Sequence, residues 1–482
     1  MVGRCRPRGT GRGADGPLAV ARPSMGRKIA PVATLAMPEP ARPPAVPLAT
    51  GAAPLSEHPQ QRYPCSLAAP APGDPHSMKT RLPFVFILIT LLIDAMGIGL
   101  ILPVMPRLIT EVSGGSLADA ALWGGILTTS FAVMQFLCGP TIGGLSDRFG
   151  RRPVLLISMG VMALDYLVMA LAGSIWLLLV GRVVGGITAA THSTAAAFIA
   201  DISAPERKAA NFGLIGAAFG IGFILGPVAG GLLAEFGTRA PFYAAAALAA
   251  ANMVFGALVL PETVTDRIRR PFRLGRANPF GALRAMGRLP GLKAPLMVYG
   301  LYEFAQIAYP ATWAYFGTAR FGWSPGTIGL SLALFGVSFA IMQGGLIRLI
   351  LPRLGDWRTI GFGLTANVLI FLMLAFIENG TLALILTPLT ALGACVVPPL
   401  QGIMSRLTPD SQQGELQGLL QSIRSLAMIA GPVAFTSIFF AFTAPDAALF
   451  MPGAVFLLSA LLMVVCGLIL VASLRARGPV AP

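Results

Sequence analysis

Five charged residues lie within long apolar stretches of this 482-residue chain, and they are its first candidates for chemistry. A charged side chain in hydrocarbon costs roughly 3 kcal/mol on insertion scales unless it is paired or hydrated. Such residues therefore mark ion pairs, proton-transfer groups or contacts to a polar ligand. The five residues are Asp94, Asp165, Arg182, Glu303 and Arg424.

Two of the acids, Asp94 and Glu303, are candidates for proton coupling, with one in each half of the apolar region. A proton-driven carrier needs at least one intramembrane group that gains and loses a proton in every cycle. Arg182 and Arg424 can stabilise the deprotonated acids. The alternative is static pairing, of Asp165 with Arg182 or of Glu303 with Arg424, and both interpretations stay open.

A single histidine, His192, also lies in an apolar stretch. It can carry a proton or be a packed, hydrogen-bonded side chain. The five cysteines show no CxxC pair or Cys/His cluster, so neither a disulfide framework nor a metal site is predicted. Nucleotide-loop, GxSxG and HExxH motifs are also missing from the sequence. We therefore expect neither an enzyme nor a cofactor.

The elements that must position these residues are apolar runs of about 20 residues, a length that spans a bilayer. The chain is 55% hydrophobic and 11% charged, whereas soluble domains carry about 25% charged residues. The sequence therefore predicts an all-α integral membrane protein with twelve transmembrane helices in two pseudo-symmetric six-helix halves. The runs cover about 83–105, 122–143, 154–172, 175–200, 212–233, 241–260, 294–316, 327–349, 359–377, 382–404, 416–442 and 447–474.

Composition divides the chain into five parts. Residues 1–80 are rich in Pro, Arg and Ala and are predicted to be disordered. A transit peptide is an alternative, as is a natural start at Met78. The remaining parts are a six-helix bundle at 81–260, a basic linker at 261–293, a second bundle at 294–474 and a tail at 475–482.

The Lys and Arg residues fix the expected orientation, because basic loops stay cytoplasmic. If both termini are cytoplasmic, most of the 35 basic residues fall in cytoplasmic loops and only Arg107, Arg239 and Arg320 fall in outer loops. This distribution predicts a multi-pass protein of the bacterial inner membrane. It also explains the net charge of +15 without nucleic acid as a partner.

The loop after the second run carries the sharpest motif, at 143–153. A glycine turn lets two helix ends approach, and its aspartate can accept from arginines or cap a neighbouring helix. Such a charged latch can hold one conformation and break in another; the alternative is a basic loop with no other role. The motif resembles the cytoplasmic-loop signature of the major facilitator superfamily. Its residues are Gly143, Ser146, Asp147, Arg148, Gly150, Arg151 and Arg152.

A second motif lies in the fifth run and resembles the antiporter motif of the same superfamily. Small residues there allow close helix packing, and the proline bends the helix. The motif favours export over uptake. Its residues are Gly222, Gly226, Pro227, Gly230 and Gly231.

Residues 92–106, 164–167, 181–188 and 414–420 resemble segments of the bacterial tetracycline efflux transporters. The resemblance covers about 78–474 and implies drug:proton antiport, with functional roles for Asp94, Asp165 and Arg182. This chain departs from the family at Phe339, where the family has a histidine, and at Asn367, where the family has an acid.

We therefore expect proton-coupled efflux of a drug-like amphiphile. Its partners would be the small molecule, protons and lipid, and the chain would act as a monomer. An exporter of an endogenous metabolite is the alternative within transport; a channel or membrane sensor is a further one. The substrate is expected between the halves, near Gln135, Tyr302, Gln306, Trp313, Gln343, Gln401 and Gln417.

Overall fold

The computed structural model of the chain describes residues 75–189, 191–203, 207–264 and 291–476. Most of the extension predicted at 1–80, most of the linker predicted at 261–293 and most of the tail predicted at 475–482 lie outside these residues. The described parts are helical almost throughout, as long apolar runs without alternation require.

Eight helices build the first half, in chain order. They are α1 (Pro75–Ile101), α2 (Met105–Ser113), α3 (Leu117–Phe149), α4 (Arg151–Leu171), α5 (Ile175–Thr188), α6 (Thr191–Ile202), α7 (Lys208–Leu233) and α8 (Ala240–Val259).

Eight more helices build the second half. They are α9 (Lys293–Gln306), α10 (Ala308–Phe321), α11 (Pro325–Ile341), α12 (Ile347–Phe376), α13 (Gly380–Leu386), α14 (Val397–Arg406), α15 (Gln413–Thr443) and α16 (Ala454–Ala476). A π-helical turn, Met342–Leu346, joins α11 to α12, and a 3-10 segment, Thr387–Val396, joins α13 to α14.

Ten stretches among the described residues are helical, long and apolar enough to cross a membrane. One of them, Pro325–Phe376, has 52 residues, which at 1.5 Å per residue is more than twice the thickness of the hydrocarbon. It bends at Gly355, whose φ is +72°, between the eighth and ninth predicted runs. The seventh run is present as α9 and α10, two helices of 14 residues each. Each predicted run is thus largely helical, and the all-α membrane fold class is confirmed.

Besides the seventh, three predicted runs are not the single regular helices that were expected. The first ends at Ile101, and a turn containing Pro103 leads into α2, because proline cannot continue the hydrogen-bond ladder. The fourth is interrupted after Thr188, where the amide of Ala189 bonds only three residues back, to Gly186. The tenth passes through the 3-10 segment. None of these breaks follows from hydropathy.

The halves contact each other chiefly through α7 with α11 and α3 with α15, and α10 also contacts α3 and α2. Within the first half, α1 packs along α7 and α4 along α8; in the second, α12 packs along α16. An aromatic cluster fills the second half, where Phe456 lies 5.0 Å from Phe316 and 6.2 Å from Phe371 between ring centroids. These packed bundles form the rigid walls of the site.

Candidate functional site

One end of the interface between the halves is closed by small residues; we call it the closed end. The backbone of Gly231 in α7 lies so near Pro325 and Gly326 that a Cβ would meet the Pro325 oxygen at 2.8 Å. Gly329 of α11 lies equally tightly against the carbonyl of Pro227. These glycines permit backbone contact that any larger residue would prevent.

The other pair of helices closes the same end. A Cβ at Gly125 of α3 would meet Thr436 and, at 3.0 Å, the carbonyl of Pro432 in α15. One hydrogen bond joins the two helices, from the Thr129 hydroxyl to the Ile429 carbonyl at 2.8 Å. Sequence reasoning did not single out Gly125 or Thr129, because their role depends on a partner about 300 residues away.

The opposite end carries the arginine-rich loops, and we call it the basic end. Along α7 the contacts with α11 run from Gly231 to Ile224, which lies 2.7 Å from a Cβ placed at Gly336. Nearer the basic end, no heavy atom of a neighbouring element lies within 4 Å of a Cβ placed at Gly213, Gly216 or Gly220. The halves therefore separate toward the basic end.

A cavity of about 280 Å³ lies between the halves, just inside the closed end. None of its lining residues carries a charge. Among the described residues, Gln306 Oε1 and the hydroxyls of Tyr309 and Tyr315 have no hydrogen-bond partner. An aromatic, uncharged cavity with free polar atoms suits a neutral ring system that carries hydrogen-bonding groups. The lining includes Thr128, Phe223, Gln306, Tyr309, Trp313, Tyr315, Phe335, Phe339, Thr387 and Thr390.

Two of the seven predicted cavity residues, Gln306 and Trp313, line this cavity. The Trp313 indole donates to Ser331 at 2.8 Å, which fixes the ring. Tyr302 is buried one turn before Gln306, whose amide donates to the Tyr302 hydroxyl at 3.2 Å. Phe339 also lines the cavity, so an apolar ring stands where the tetracycline family has a histidine.

The other four predicted cavity residues lie outside its lining. Gln135 is exposed and donates to the Ala189 carbonyl at 3.2 Å. Gln343 donates to the Ala394 carbonyl at 3.2 Å. Gln401 bonds the side chain of Tyr299, and Gln417 is exposed on α15.

A buried polar network behind the cavity was not anticipated. The Tyr302 hydroxyl donates to the Gly393 carbonyl at 2.9 Å, and the Asn367 amide donates to the same oxygen at 3.3 Å. Asn367 also donates to Gly363 at 3.1 Å and is fully buried. Asn367 thus supplies two donors to backbone carbonyls, which the carboxylate present in the family could not do.

One intramembrane ion pair joins α9 to α15. Arg424 Nε lies 3.7 Å from Glu303 Oε2, with 16% of the Glu303 side chain and 62% of the Arg424 side chain exposed. Tyr299 hydrogen-bonds Glu303 and is itself bonded by Gln401. Glu303 is therefore fixed by the hydrogen bond from Tyr299, whereas Arg424 is largely exposed and makes only the long contact to Glu303 among the described residues.

His192 of α6 stands opposite this pair, on the first half. It lies within electrostatic range of Arg424 and packs edge-on against Phe219, with ring centroids 5.7 Å apart. Phe219 in turn stacks on Phe223, which lines the cavity. His192 and Arg424 therefore face the space between the halves from its two sides.

Asp165 and Arg182 form a direct ion pair in the first half, with 1% and 11% of their side chains exposed. Both carboxylate oxygens stand 2.8 Å from Cβ positions built on Gly181 and Gly185 of α5. The guanidinium also lies over the Phe131 ring, 5.2 Å from its centroid. The two glycines thus make room for a carboxylate that a larger residue would displace.

Asp94 occupies a half-buried position on α1, within electrostatic range of Tyr166. The Tyr166 hydroxyl packs against Gly97, where a Cβ would meet it at 2.9 Å, and has no hydrogen-bond partner among the described residues. Because Tyr166 directly follows Asp165, the structure brings three predicted residues, Asp94, Asp165 and Arg182, into one region of the first half.

The predicted latch residues meet at the basic end. Asp147 accepts from Arg151 Nη1 at 2.5 Å, and Arg151 Nε donates to Asp201 of α6 at 3.2 Å. Ser146 accepts from the same guanidinium at 3.2 Å. One arginine therefore ties the α3–α4 loop to α6.

A third acid, Glu262, completes this cluster and was not predicted. Its two carboxylate oxygens accept from the backbone amides of Arg151 and Arg152, at 2.9 and 3.2 Å, which caps the first turn of α4. Gly150 has a φ of +114° and leaves room for that carboxylate. In the second half, Arg406 pairs with Asp356 beside the Gly355 bend.

The antiporter motif packs α7 onto α1. Cβ atoms at Gly222, Gly226 and Gly230 would collide with the successive carbonyls of Leu92, Met96 and Leu100. The spacing of four residues on both helices keeps the contact on one face. Gly231, the last residue of the motif, faces the other half instead.

Two helical halves around a neutral cavity, closed at one end and open at the other, define an alternating-access membrane transporter. The chain belongs to the Major Facilitator Superfamily, whose family model matches residues 87–432. Both the fold class and the family predicted from the sequence are thereby confirmed.

Three similar proteins are also membrane transporters or drug resistance proteins by name. The chain is 41% identical to the Escherichia coli tetracycline resistance protein, class C, over 363 residues, 75% of this chain and 91% of the relative. It is 28% identical to multidrug resistance protein 2 of Bacillus subtilis (strain 168) over 72% of this chain and 86% of the relative. The crystal structure of the human organic anion transporter MFSD10 (TETRAN) matches 80% of this chain and 99% of its own, with 26% identity and a TM-score of 0.57.

Proposed function

We propose that this protein exports a drug-like amphiphile in exchange for protons. The observation that carries the proposal is the neutral aromatic cavity between the halves, which are closed at one end and open at the other. Gln306 lines this cavity, and the carboxylate of Glu303 lies one helical turn before Gln306 on α9. The tetracycline and multidrug resistance relatives support a substrate of this kind. The protein acts as a monomer in the bacterial inner membrane.

The orientation follows from the basic loops: the basic end and both termini face the cytoplasm. The described conformation is then open to the cytoplasm and closed to the outside. Export proceeds when the bundles at 81–260 and 294–474 rock about the cavity. Asp147 and Arg151 form the latch that distinguishes the two conformations.

Proton coupling is assigned to Asp94 and Glu303, one acid in each half. Neither Phe339 nor Asn367 can titrate, so the second half needs another acid, and Glu303 lies beside the cavity with 16% of its side chain exposed. A proton and a cationic group compete for such a carboxylate, and this competition produces antiport.

A substrate-panel assay tests the function. Everted vesicles that contain the full chain are energised by respiration, and uptake of each compound is followed together with proton release from the vesicle interior. Uptake that collapses with a protonophore supports antiport. The Asp94→Asn variant, inserted at the same level, serves as control. Energy-independent equilibration at the same rate in both proteins would instead indicate a channel.

Glu303→Gln separates coupling from a static ion pair. A coupling role predicts loss of uphill efflux with downhill movement partly intact. A static pair predicts lower stability, recovered together with full efflux when Arg424→Gln is added. Normal uphill export and proton exchange by the single variant would show that Glu303 is not a coupling group.

A further inference from the structure

We infer that the substrate is an aromatic zwitterion whose negative group binds Arg424 and whose positive group binds Glu303. This inference rests on the proposed function and names the charge class that the site accepts. It follows from the free donors of one arginine, from the uncharged lining of the cavity and from the requirement that substrate and proton compete.

The donors of Arg424 are left unused within the protein. Its one ionic contact uses Nε, at 3.7 Å from Glu303, well beyond the ~2.7–2.9 Å of a charge-assisted hydrogen bond. Its side chain is 62% exposed, and among the described residues neither terminal nitrogen has a hydrogen-bond partner. A guanidinium fork of this kind matches the two oxygens of a carboxylate.

Arg424 and Glu303 lie where the charged groups of a ligand would be if its ring system filled the cavity. Arg424 precedes Ile429, whose carbonyl accepts from Thr129 of α3, by five residues, or about 7.5 Å of helix. Glu303 precedes the cavity residue Gln306 by three residues, or about 4.5 Å. His192, on the other half, lies within electrostatic range of Arg424. The charges of the ligand thus lie between the neutral cavity and the open basic end.

The requirement for antiport selects among the three charge classes. An anion that bound Arg424 alone would release Glu303 from its cation and favour its protonation, so proton and substrate would bind together. A cation that bound Glu303 alone would leave Arg424 without a counter-charge. A zwitterion satisfies both groups, and its positive group still competes with the proton for Glu303.

The test uses a matched series with one ring system: norfloxacin (zwitterion), its ethyl ester (cation), its N-acetyl derivative (anion) and the N-acetyl ethyl ester (neutral). Binding to the purified full chain is measured by fluorescence titration without any proton gradient, so that it does not depend on transport. We expect the zwitterion to bind at least about tenfold more tightly than the ester or the acetyl derivative. The tenfold figure corresponds to one charge-assisted contact.

Variants assign each charge to its partner. Arg424→Gln should weaken binding of the zwitterion and the anion about tenfold without weakening binding of the cation. Glu303→Gln should weaken binding of the zwitterion and the cation without weakening binding of the anion. Arg406→Gln is the matched control, because that arginine is also 62% exposed but pairs with Asp356. Equal affinity for zwitterion and ester, no saturable binding of the zwitterion, or equal effects of the two arginine variants would overturn the inference. Failure of transport with these binding patterns intact would count against the proposed function alone.

Discussion

Breaking the Asp165–Arg182 pair should cost much more stability than breaking a pair at the surface. With 1% and 11% of their side chains exposed, both partners are removed from water, so Asp165→Asn leaves a buried cation without its counter-charge. Removing one member of such a pair typically costs about 3–5 kcal/mol. The matched control is Asp356→Asn: its partner Arg406 is 62% exposed, and pairs of that kind contribute about 0–1 kcal/mol.

The assay is reversible unfolding of the purified protein in mixed micelles, followed by tryptophan fluorescence. We expect Asp165→Asn and Arg182→Gln each to lower the free energy of unfolding by at least about 3 kcal/mol. The double variant should lose no more than either single one, because it leaves no unpaired charge. Additive losses, or a loss from Asp165→Asn as small as that from Asp356→Asn, would show that the two residues are not an isolated buried pair.

Three further perturbations test the latch, the closed end and the buried network. Asp147→Asn should insert normally but reduce efflux at least about tenfold, since Arg151 loses the charge that it contacts at 2.5 Å, and wild-type rates in vesicles would contradict the latch. Gly125→Ala should destabilise the closed end, because the added Cβ would meet Thr436 and the Pro432 carbonyl, and the distances between spin labels at the basic end should become shorter. Gly139→Ala is the control on the same helix: a Cβ there has no neighbouring atom within 4 Å, so neither the distances nor efflux should change. Asn367→Asp should lower the free energy of unfolding by at least about 2 kcal/mol, because the buried carboxylate cannot donate the two hydrogen bonds that the Asn367 amide donates to Gly363 and Gly393. An unchanged melting curve would show that these hydrogen bonds are dispensable.

The sequence was sufficient for the all-α membrane fold and for the elements that carry the charged residues, whereas ten stretches of the described residues, not twelve, are helical, long and apolar enough to cross a membrane. Membrane spans follow from length and apolarity alone, and a charge within a span must find a partner or water, so Asp165 and Arg182 could be paired on paper. The latch loop was recognisable because Asp147 and Arg151 are one helical turn apart and meet locally.

What the sequence did not reveal depends on contacts between distant parts of the chain. Glu262 caps α4 from 111 residues away, and no local pattern distinguishes it from an ordinary acid after the sixth run. In the sequence, Asn367 was only a position where the family has an acid and this chain does not. The hydrogen bond from its amide to the Gly393 carbonyl joins residues that are distant in the sequence and is visible only in the structure. Gln343 was expected in the cavity but instead donates to the carbonyl of Ala394, which lies in the 3-10 segment between α13 and α14.

The glycines of α7 have a consequence for how mutations in this protein should be judged. Gly222, Gly226 and Gly230 already have neighbours that forbid a side chain, whereas Gly213, Gly216 and Gly220 have open space around them. In an alternating-access cycle, the two bundles must also come together at the basic end. Gly213, Gly216 and Gly220, which have no close neighbours in the described conformation, lie toward that end. A substitution there would leave the folded protein intact and its melting temperature normal, yet stop turnover. Screens for stability would pass such variants as neutral, and only a measurement of flux would find them.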